Sequence, residues 1–245
     1  MNVVVLMSGD SRVFAEAGYI YPKSLIEIAG RPMIEHVLAC YRPLSELGAT
    51  FTFVVRGDES ARYHLPAILK LLMPQATVVE SPKPTAGAAC SALLAVDLID
   101  SDTPLVLCNG DQVIEADLKA VVEDFRQREL DGGIVVFDAV HPRWSFVKVD
   151  ADDLVIEASE KRPISRLATA GFYWFRRGAD FVAAAQSMIA KDAHVNGAFY
   201  VCPSYNEMIL DQARIGISRL AAERYHSLAN PSSIQDFEDC LRRRS

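Results

Sequence analysis

The chain has 245 residues, of which 50% are hydrophobic and 23% are charged, and its formal net charge is −7. These values place it among ordinary soluble globular proteins with one sizeable core. The acidic balance argues against a general nucleic-acid-binding protein, because such proteins carry a basic surface. An anion site is still compatible with this charge, provided that it is built locally from a few Lys, Arg and backbone N–H groups.

The N-terminus carries neither the charged nor the long apolar region of a secretory signal, and no apolar stretch approaches the length of a membrane span. The five cysteines are scattered and contain no Cys-x-x-Cys pair, a distribution typical of reduced thiols. The five histidines show no metal-binding spacing. We therefore expect a cytoplasmic protein that does not bind membranes.

In the first half of the chain, short apolar runs alternate with segments of helical periodicity, as in βαβ units around a largely parallel sheet. The run at 3–7 is rich in β-branched residues and too short for a buried helix, so it predicts the first strand. Further strands are predicted at 50–55, 78–79 and 104–108. Helices are predicted from Pro32, over 61–73, over 86–98 and from Asp117.

The pattern changes from Gly132 onwards, where strands follow one another with short turns and little helix between them. These strands are predicted at 133–137, 145–149, 154–158 and 169–175. The change indicates an antiparallel addition to the sheet or a substrate-binding lobe. A helix near 180–189 follows, and a last helix begins around Pro231, where Ser232 and Gln235 have the spacing of a capping box.

Two polar segments follow predicted strands, at the end of the sheet where open α/β folds bind their ligands. In the first, residues 8–23, Ser8 and Gly9 let the backbone approach phosphate oxygens. Arg12 and Lys23 could add positive charge there. A plain surface loop is the alternative interpretation, because one glycine and one arginine form a weak motif.

The second segment, Asn109-Gly110-Asp111-Gln112, comes directly after a fully apolar strand. A carboxylate in this position is where α/β phosphotransfer enzymes hold a hard cation, and Mg²⁺ needs only one or two carboxylates besides phosphate oxygens. The alternative is that Asp111 caps a turn, since Asn-Gly-Asp is ordinary turn chemistry.

Several short motifs follow one another from the first loop to residue 163. They read Leu6-Met7-Ser8-Gly9, Tyr21-Pro22-Lys23, Arg31-Pro32-Met33-Ile34, Thr85-x-Gly87-Ala88-Ala89, Asn109-Gly110-Asp111 and Glu160-Lys161-Arg162-Pro163. In this order they resemble the signature of the sugar-phosphate nucleotidyltransferases. His141-Pro142-Arg143-Trp144 and Asn196-Gly197-x-Phe199-Tyr200 resemble the branch of that family associated with capsular polysaccharide biosynthesis.

The resemblance implies a three-layer, Rossmann-like α/β fold of the nucleotidyltransferase and GT-A type, with a mixed, mostly parallel sheet and an antiparallel substrate-binding elaboration. It implies one domain over 1–245, with a nucleotide-binding part over 1–131 and an acceptor-binding part with the C-terminal helix over 132–245. The implied reaction is Mg²⁺-dependent transfer of a nucleoside monophosphate from an NTP to a small phosphorylated acceptor, with release of pyrophosphate.

The matched motifs also imply roles for individual residues. Those on the nucleotide side are Ser8, Gly9, Gly87 and Asn109, and Arg12 is added to them from its position in the loop. Lys23 would contact phosphate at the reacting centre, and Lys161 would hold the phosphate of the acceptor. Asp111 would bind Mg²⁺, and Glu207 is the candidate for a second metal-binding carboxylate.

The loop after the first strand departs from the pattern of the family. Aligned without gaps from Gly9, the family's second glycine falls on Ser11 and its arginine on Val13. Asp10 brings a carboxylate to the place where a triphosphate would lie. Unscreened repulsion at about 4 Å would cost on the order of 4 kcal/mol at an effective dielectric constant of about 20.

This departure leaves other functions open. A glycosyltransferase of the same broad fold would use Asp111 and a divalent ion to bind a nucleotide-diphosphate sugar, and would need no triphosphate loop. A degenerate relative would bind a nucleotide or a partner without chemistry. Gly9-Asp10-Ser11 also resembles the nucleophile segment of an esterase family, but the late Asp-x-x-His that would supply the base is absent from the sequence.

Overall fold

The computed structural model describes residues 1–244, which form thirteen strands and ten α-helices. The strands are β1 (Asn2–Met7), β2 (Glu27–Ile28), β3 (Arg31–Pro32), β4 (Thr50–Arg56), β5 (Thr77–Ser81), β6 (Leu105–Asn109), β7 (Gln112–Ile114), β8 (Gly132–Asp138), β9 (Ser145–Val149), β10 (Val155–Glu160), β11 (Leu167–Phe175), β12 (Ile215–Leu220) and β13 (Tyr225–Ser227). The helices are α1 (Arg12–Glu16), α2 (Met33–Tyr41), α3 (Gly57–Tyr63), α4 (Leu65–Leu72), α5 (Ala88–Leu93), α6 (Val96–Ile99), α7 (Leu118–Gln127), α8 (Gly178–Ala190), α9 (Val201–Leu210) and α10 (Pro231–Arg244).

Nine of the strands form one mixed sheet with β1 near its centre. Strand β1 is parallel to both β4 and β6, and β4 is parallel to β5. The second half of the sheet is built around β11, which is antiparallel to β6, β8 and β9. Strand β12 is parallel to β8 at one branch of this half, and β10 is antiparallel to β9 at the other. The predicted change from parallel to antiparallel structure after Gly132 is therefore confirmed.

Each face of the sheet is covered by its own hydrophobic core. Along β1, Val3 and Val5 belong to one core and Val4 to the other, and all three are fully buried. Because side chains alternate across a strand, an uninterrupted apolar run is stable only where both faces are covered. Helices α2, α7 and α10 cover the first face, and α5, α8 and α9 cover the second. The structure thus has the three layers and the mostly parallel central sheet that the sequence predicted.

The structure changes several of the predicted helices. The predicted helix at 61–73 is two helices that meet at His64, whose φ of 54° breaks the helical path, and Pro66 lies in the first turn of the second one. The predicted helix at 86–98 is divided into α5 and α6. Helices α1 and α9 and strand β12 were not predicted. No helix within residues 1–244 has the length and apolar character needed to cross a membrane.

The predicted capping box of the last helix is wrong. The side chain of Asn230 accepts a hydrogen bond from the Ser233 backbone N–H at 3.0 Å, as an N-cap residue does. Ser232 donates its hydroxyl to the same Asn230 oxygen at 2.7 Å, and Gln235 contacts Asp239 one turn along. The helix therefore begins one position after the cap, at Pro231, where a missing N–H costs nothing.

We expect Asn230→Ala to lower the free energy of unfolding by about 1 kcal/mol, because it leaves a backbone donor of α10 without its cap. Ser232→Ala and Gln235→Ala are expected to change it by less than about 0.5 kcal/mol. Urea denaturation followed by circular dichroism measures all three. If Ser232→Ala lowered the free energy of unfolding as much as Asn230→Ala, the capping box would be supported after all.

Candidate active site at the carboxyl ends of the central strands

A cleft of about 780 Å³ lies where β1 and β6 end. The two strands end at the same level, because Leu6 is the register partner of Asn109. The Gly110 N–H continues the pairing by donating to the Leu6 carbonyl at 2.9 Å. A Cβ at Gly110 would lie 2.4 Å from Cγ of Met7, so only glycine permits this approach. The loop after β1 and the turn after β6 therefore leave the sheet side by side.

Lys23 and Asp111 form an ion pair at the base of this cleft. Lys23 begins a short 3₁₀ turn after Pro22, and its Nζ donates to Oδ2 of Asp111 at 2.7 Å. The side chains are 11% and 22% exposed, respectively. A Cβ at Gly9 would lie 3.0 Å from the same Nζ, so the loop after β1 passes directly over the ammonium group. A phosphate carried by this loop would therefore meet Lys23 and the carboxylate together.

A chain of hydroxyl groups joins the loop after β1 to the start of α5. Ser8 donates to Oγ of Ser91 at 2.8 Å, and the Ser91 and Thr85 hydroxyls are 2.6 Å apart. Gly87 opens α5 with a φ of 110°, and a Cβ there would lie 2.3 Å from the carbonyl oxygen of Phe199. Glycine is required at this position by both its conformation and its packing. The chain of hydroxyls fixes Ser8 and Gly87 on one wall of the cleft.

Asp10 does not reach across to Asp111 but folds back onto Arg12. Its carboxylate accepts a hydrogen bond from the Arg12 backbone N–H at 2.8 Å and forms an ion pair with the Arg12 guanidinium. Burial raises the pKa of Asp10, but the hydrogen bonds from Arg12 outweigh it and the pKa is lowered. The guanidinium that a phosphate would use is thus already bound by a carboxylate of the same loop.

Glu160, at the end of β10, is a buried carboxylate that was not among the site residues predicted from the sequence. It is 7% exposed, lines the cleft and accepts a hydrogen bond from the Ser145 hydroxyl. Burial raises its pKa, and the Ser145 hydrogen bond and Lys161 oppose the rise. The sequence gives no clear signal for its burial, because Ile156, which is in phase with Glu160 on β10, is 47% exposed and the strand shifts register near Glu157.

Seven of the nine residues assigned from the sequence line this one cleft. They are Ser8, Gly9, Arg12, Lys23, Gly87, Asn109 and Asp111. Lys161 does not line it, because its Nζ donates to the Tyr200 hydroxyl at 2.7 Å and lies 5.0 Å from the centre of that ring. Lys161 therefore sits behind Tyr200, which does line the cleft.

The structure does not bring Glu207 to Asp111. Glu207 lies on α9, where its carboxylate binds Lys191 Nζ at 2.6 Å and the Ser187 hydroxyl at 2.7 Å. It does not line the cleft, and residues 1–244 contain no group of three or more His, Cys, Asp and Glu side chains arranged to hold a metal ion. Glu207 instead forms a partly buried ion pair that joins α9 to the end of α8, away from Asp111.

Asp111 fits the requirements of a Mg²⁺ ligand. Lys23 uses its Oδ2 atom, and Oδ1 accepts no hydrogen bond from residues 1–244. Mg²⁺ accepts one or two carboxylates and takes its other ligands from phosphate oxygens and water. The donor set in the cleft is thus compatible with an ion that arrives with a phosphorylated ligand.

The pKa of Glu160 predicts a pH dependence of stability. The folded chain holds the Glu160 proton more tightly than the unfolded chain, whose carboxyl has an ordinary value of 4.5. The resulting stabilisation is therefore present at low pH and is lost as pH rises from that value through the raised pKa of the folded state.

We expect Glu160→Gln to remove this loss, so that the stability of the variant rises relative to wild type between about pH 4 and about pH 7. Urea denaturation across that range measures it. Glu157→Gln, on the same strand but paired with Arg162 at the surface, is the matched control and should show no such trend. Parallel pH profiles for wild type and Glu160→Gln would contradict the burial argument.

Comparison with known proteins identifies the family of this fold and cleft. Residues 3–171 match the model of the MobA-like NTP transferase domain. The chain is 29% identical to a UTP–glucose-1-phosphate uridylyltransferase of Haloferax volcanii, over 71% of this chain and 72% of that protein.

Solved structures agree with this match. A nucleoside-diphosphate-sugar pyrophosphorylase from Vibrio cholerae superposes with a TM-score of 0.84 at 25% identity, covering 97% of this chain and 99% of the other. A UDP-glucose pyrophosphorylase solved with UDP-glucose gives a TM-score of 0.77 at 12% identity, covering 100% and 99%, and shares the fold. The family match includes both strands that carry the cleft and the segment through Gly171. The chain belongs to the MobA-like NTP transferase family.

Proposed function

We propose that the chain is a Mg²⁺-dependent nucleotidyltransferase that transfers a nucleoside monophosphate from an NTP to a small phosphorylated acceptor. The observation that carries this proposal is the Lys23–Asp111 pair, with its 2.7 Å separation directly under the Ser8–Gly9 loop. A buried cation beside a carboxylate at the ends of two parallel strands suits a ligand that brings both phosphate and a divalent ion. The names of the similar proteins describe this class of reaction.

The proposed step is an in-line displacement at phosphorus. An oxygen of the acceptor phosphate attacks the α-phosphorus of the NTP, a new P–O bond forms, and the bond between the α-phosphate and the β-phosphate breaks. The electron pair of that bond leaves with pyrophosphate. Catalysis of this kind depends on positioning and on neutralising charge rather than on a protein nucleophile.

Lys23, Asp111 and the Ser8–Gly9 loop would each have a different role in this reaction. Lys23 lies where it can neutralise the α-phosphate, and Asp111 orients Lys23 through Oδ2 while its Oδ1 is available to a cation. Mg²⁺ bound there would supply additional charge neutralisation to the phosphates. Ser8, fixed by Ser91, and Gly9 offer the backbone surface over which the phosphates can lie.

We also propose that the product serves surface polysaccharide biosynthesis in the cytoplasm, and that residues 1–131 bind the nucleotide while 132–245 bind the acceptor. The support is the resemblance of His141-Pro142-Arg143-Trp144 and Asn196-Gly197-x-Phe199-Tyr200 to the capsular branch of the family. Trp144 and Tyr200, one from each segment, both line the cleft, which supports a role for these segments in acceptor selection.

A glycosyltransferase reaction is the second candidate, and the Asp10–Arg12 pair favours it. A nucleotide-diphosphate sugar has no γ-phosphate, so a carboxylate that closes off Arg12 would not interfere with it. Both reactions would use Asp111 and a divalent ion.

Release of pyrophosphate separates the candidates. With each of the four NTPs, Mg²⁺ and a panel of phosphorylated acceptors, we expect release with at least one pair, and a loss of about 10²-fold or more in kcat for Asp111→Asn. Asp117→Asn is the matched control, because Asp117 caps α7 away from the cleft and Asn is an equally good cap. Transfer from a sugar nucleotide, with no pyrophosphate from any pair, would establish the glycosyltransferase reaction instead.

Asp10→Asn tests whether the Asp10 carboxylate competes with the triphosphate. The amide can still accept the Arg12 backbone N–H, but it releases the guanidinium charge. We expect the KM for the NTP to fall about fivefold, which corresponds to about 1 kcal/mol. Asp138→Asn, which frees Arg166 from a surface ion pair outside the cleft, is the control for a general loss of acidic charge. A higher KM together with a higher Mg²⁺ requirement would show that Asp10 holds a cation.

A further inference from the structure

We propose that Arg143, in the turn between β8 and β9, binds the phosphate of the acceptor. The inference rests on the proposed function and names the side chain that recognises the charge of the second substrate. It also assigns the acceptor class, a phosphate monoester whose oxygens can receive two parallel hydrogen bonds.

Arg143 is held over the ring of Trp144, with its guanidinium carbon 4.3 Å from the ring centre. Its backbone N–H donates to Nδ1 of His141 at 3.1 Å, which fixes the turn. Stacking on an aromatic face covers one side of a guanidinium and leaves the N–H groups at its edge free. The edge of Arg143 is thus oriented before any ligand arrives.

The Trp144 ring is itself held in place. Its plane is nearly perpendicular, at 81°, to the rings of both Phe137 and Tyr225, with 5.5 Å and 5.4 Å between ring centres, respectively. Phe137 and Tyr225 stack on each other at 4.4 Å. The Tyr225 hydroxyl donates to Oε1 of Gln112, one residue after Asp111, at 3.3 Å. Phe137, Trp144 and Tyr225 thus form an aromatic platform beneath Arg143. Tyr225 and Gln112 connect this platform to the turn that carries Asp111.

Arg143 differs from the other basic residues of the cleft in its lack of an ion-pair partner. Lys23, Arg12 and Arg56 each have a carboxylate within 4.0 Å, on Asp111, Asp10 and Asp58, respectively. Arg143 lines the same cleft but forms no ion pair with any acidic side chain of residues 1–244. A cation left unpaired beside a cleft is available to an anionic ligand at no cost of breaking an existing pair.

Lys161 is the residue that the family resemblance assigns to the acceptor phosphate, but its ammonium lies against Tyr200 and outside the cleft. Arg143 is followed directly by Trp144 and Ser145, and Ser145 is the register partner of Glu160. The guanidinium thus belongs to the same part of the wall as the buried carboxylate. A phosphate on Arg143 would leave the rest of an acceptor next to Glu160.

Inorganic phosphate and the fluorescence of Trp144 provide a test that needs no turnover. The chain has two tryptophans, and Trp174 is buried in the core at 1% exposure, so a change caused by a ligand in the cleft reports Trp144. We expect phosphate, added against chloride at constant ionic strength, to change the emission. The Kd should rise about tenfold or more in Arg143→Gln and less in Arg143→Lys, which keeps the charge but not the two parallel donors.

Lys161→Gln is the matched comparison, since it removes the other cation near this part of the wall. The proposal is overturned if phosphate leaves the emission unchanged, or if Lys161→Gln and not Arg143→Gln raises the Kd. Because this titration contains no nucleotide, its outcome is independent of the pyrophosphate assay. Where that assay finds an active pair, Arg143→Gln should raise the KM for the acceptor about tenfold and leave the KM for the NTP unchanged.

Discussion

The cleft depends on the parallel register of β1 and β6, because it brings two loops out of the sheet at one level. Leu6 stands opposite Asn109, so the Gly9 backbone and the Asp111 carboxylate meet at Lys23. A shift of one residue along the strand moves a side chain by about 3.3 Å. That is more than the 2.7 Å of the Lys23–Asp111 hydrogen bond. The chemistry proposed for the chain therefore depends on this register.

The ion pairs around the cleft differ in how far they are buried. The Asp10–Arg12 pair is exposed, and such pairs contribute about 0–1 kcal/mol, so a polyanionic ligand can displace it. The Lys23–Asp111 pair is mostly buried, and removing either partner would leave an uncompensated charge. A ligand can therefore rearrange the entrance of the cleft near Arg12 while the base of the cleft stays fixed. Arg143, which also lines the cleft, forms no ion pair with an acidic side chain of residues 1–244.

Local patterns in the sequence predicted the α/β organisation of the sheet, and the residues assigned to the nucleotide lie together in one cleft, while their role in binding it stays a prediction. Apolar runs such as 3–7 specify buried strands, and the position of Asp111 after a strand specifies which edge it reaches. Glu207 and Lys161 do not line the cleft, because each side chain binds a partner distant in sequence, namely Lys191 and Tyr200. The spacing of a motif does not predict whether a side chain will bind such a partner or a ligand.

The two sides of the cleft are joined through Gln112, which is 1% exposed. Its Nε2 donates to the Tyr41 hydroxyl at 3.0 Å and to the Gly171 carbonyl on β11 at 2.9 Å, while its Oε1 accepts the Tyr225 hydroxyl. Tyr41 in turn donates to the Asn109 carbonyl at 2.9 Å. With its polar atoms satisfied, Gln112 fixes the turn that carries Asp111 relative to the platform beneath Arg143. The in-line transfer proposed for this cleft would require such rigidity, because the attacking oxygen and the phosphorus must be aligned before the barrier can be lowered.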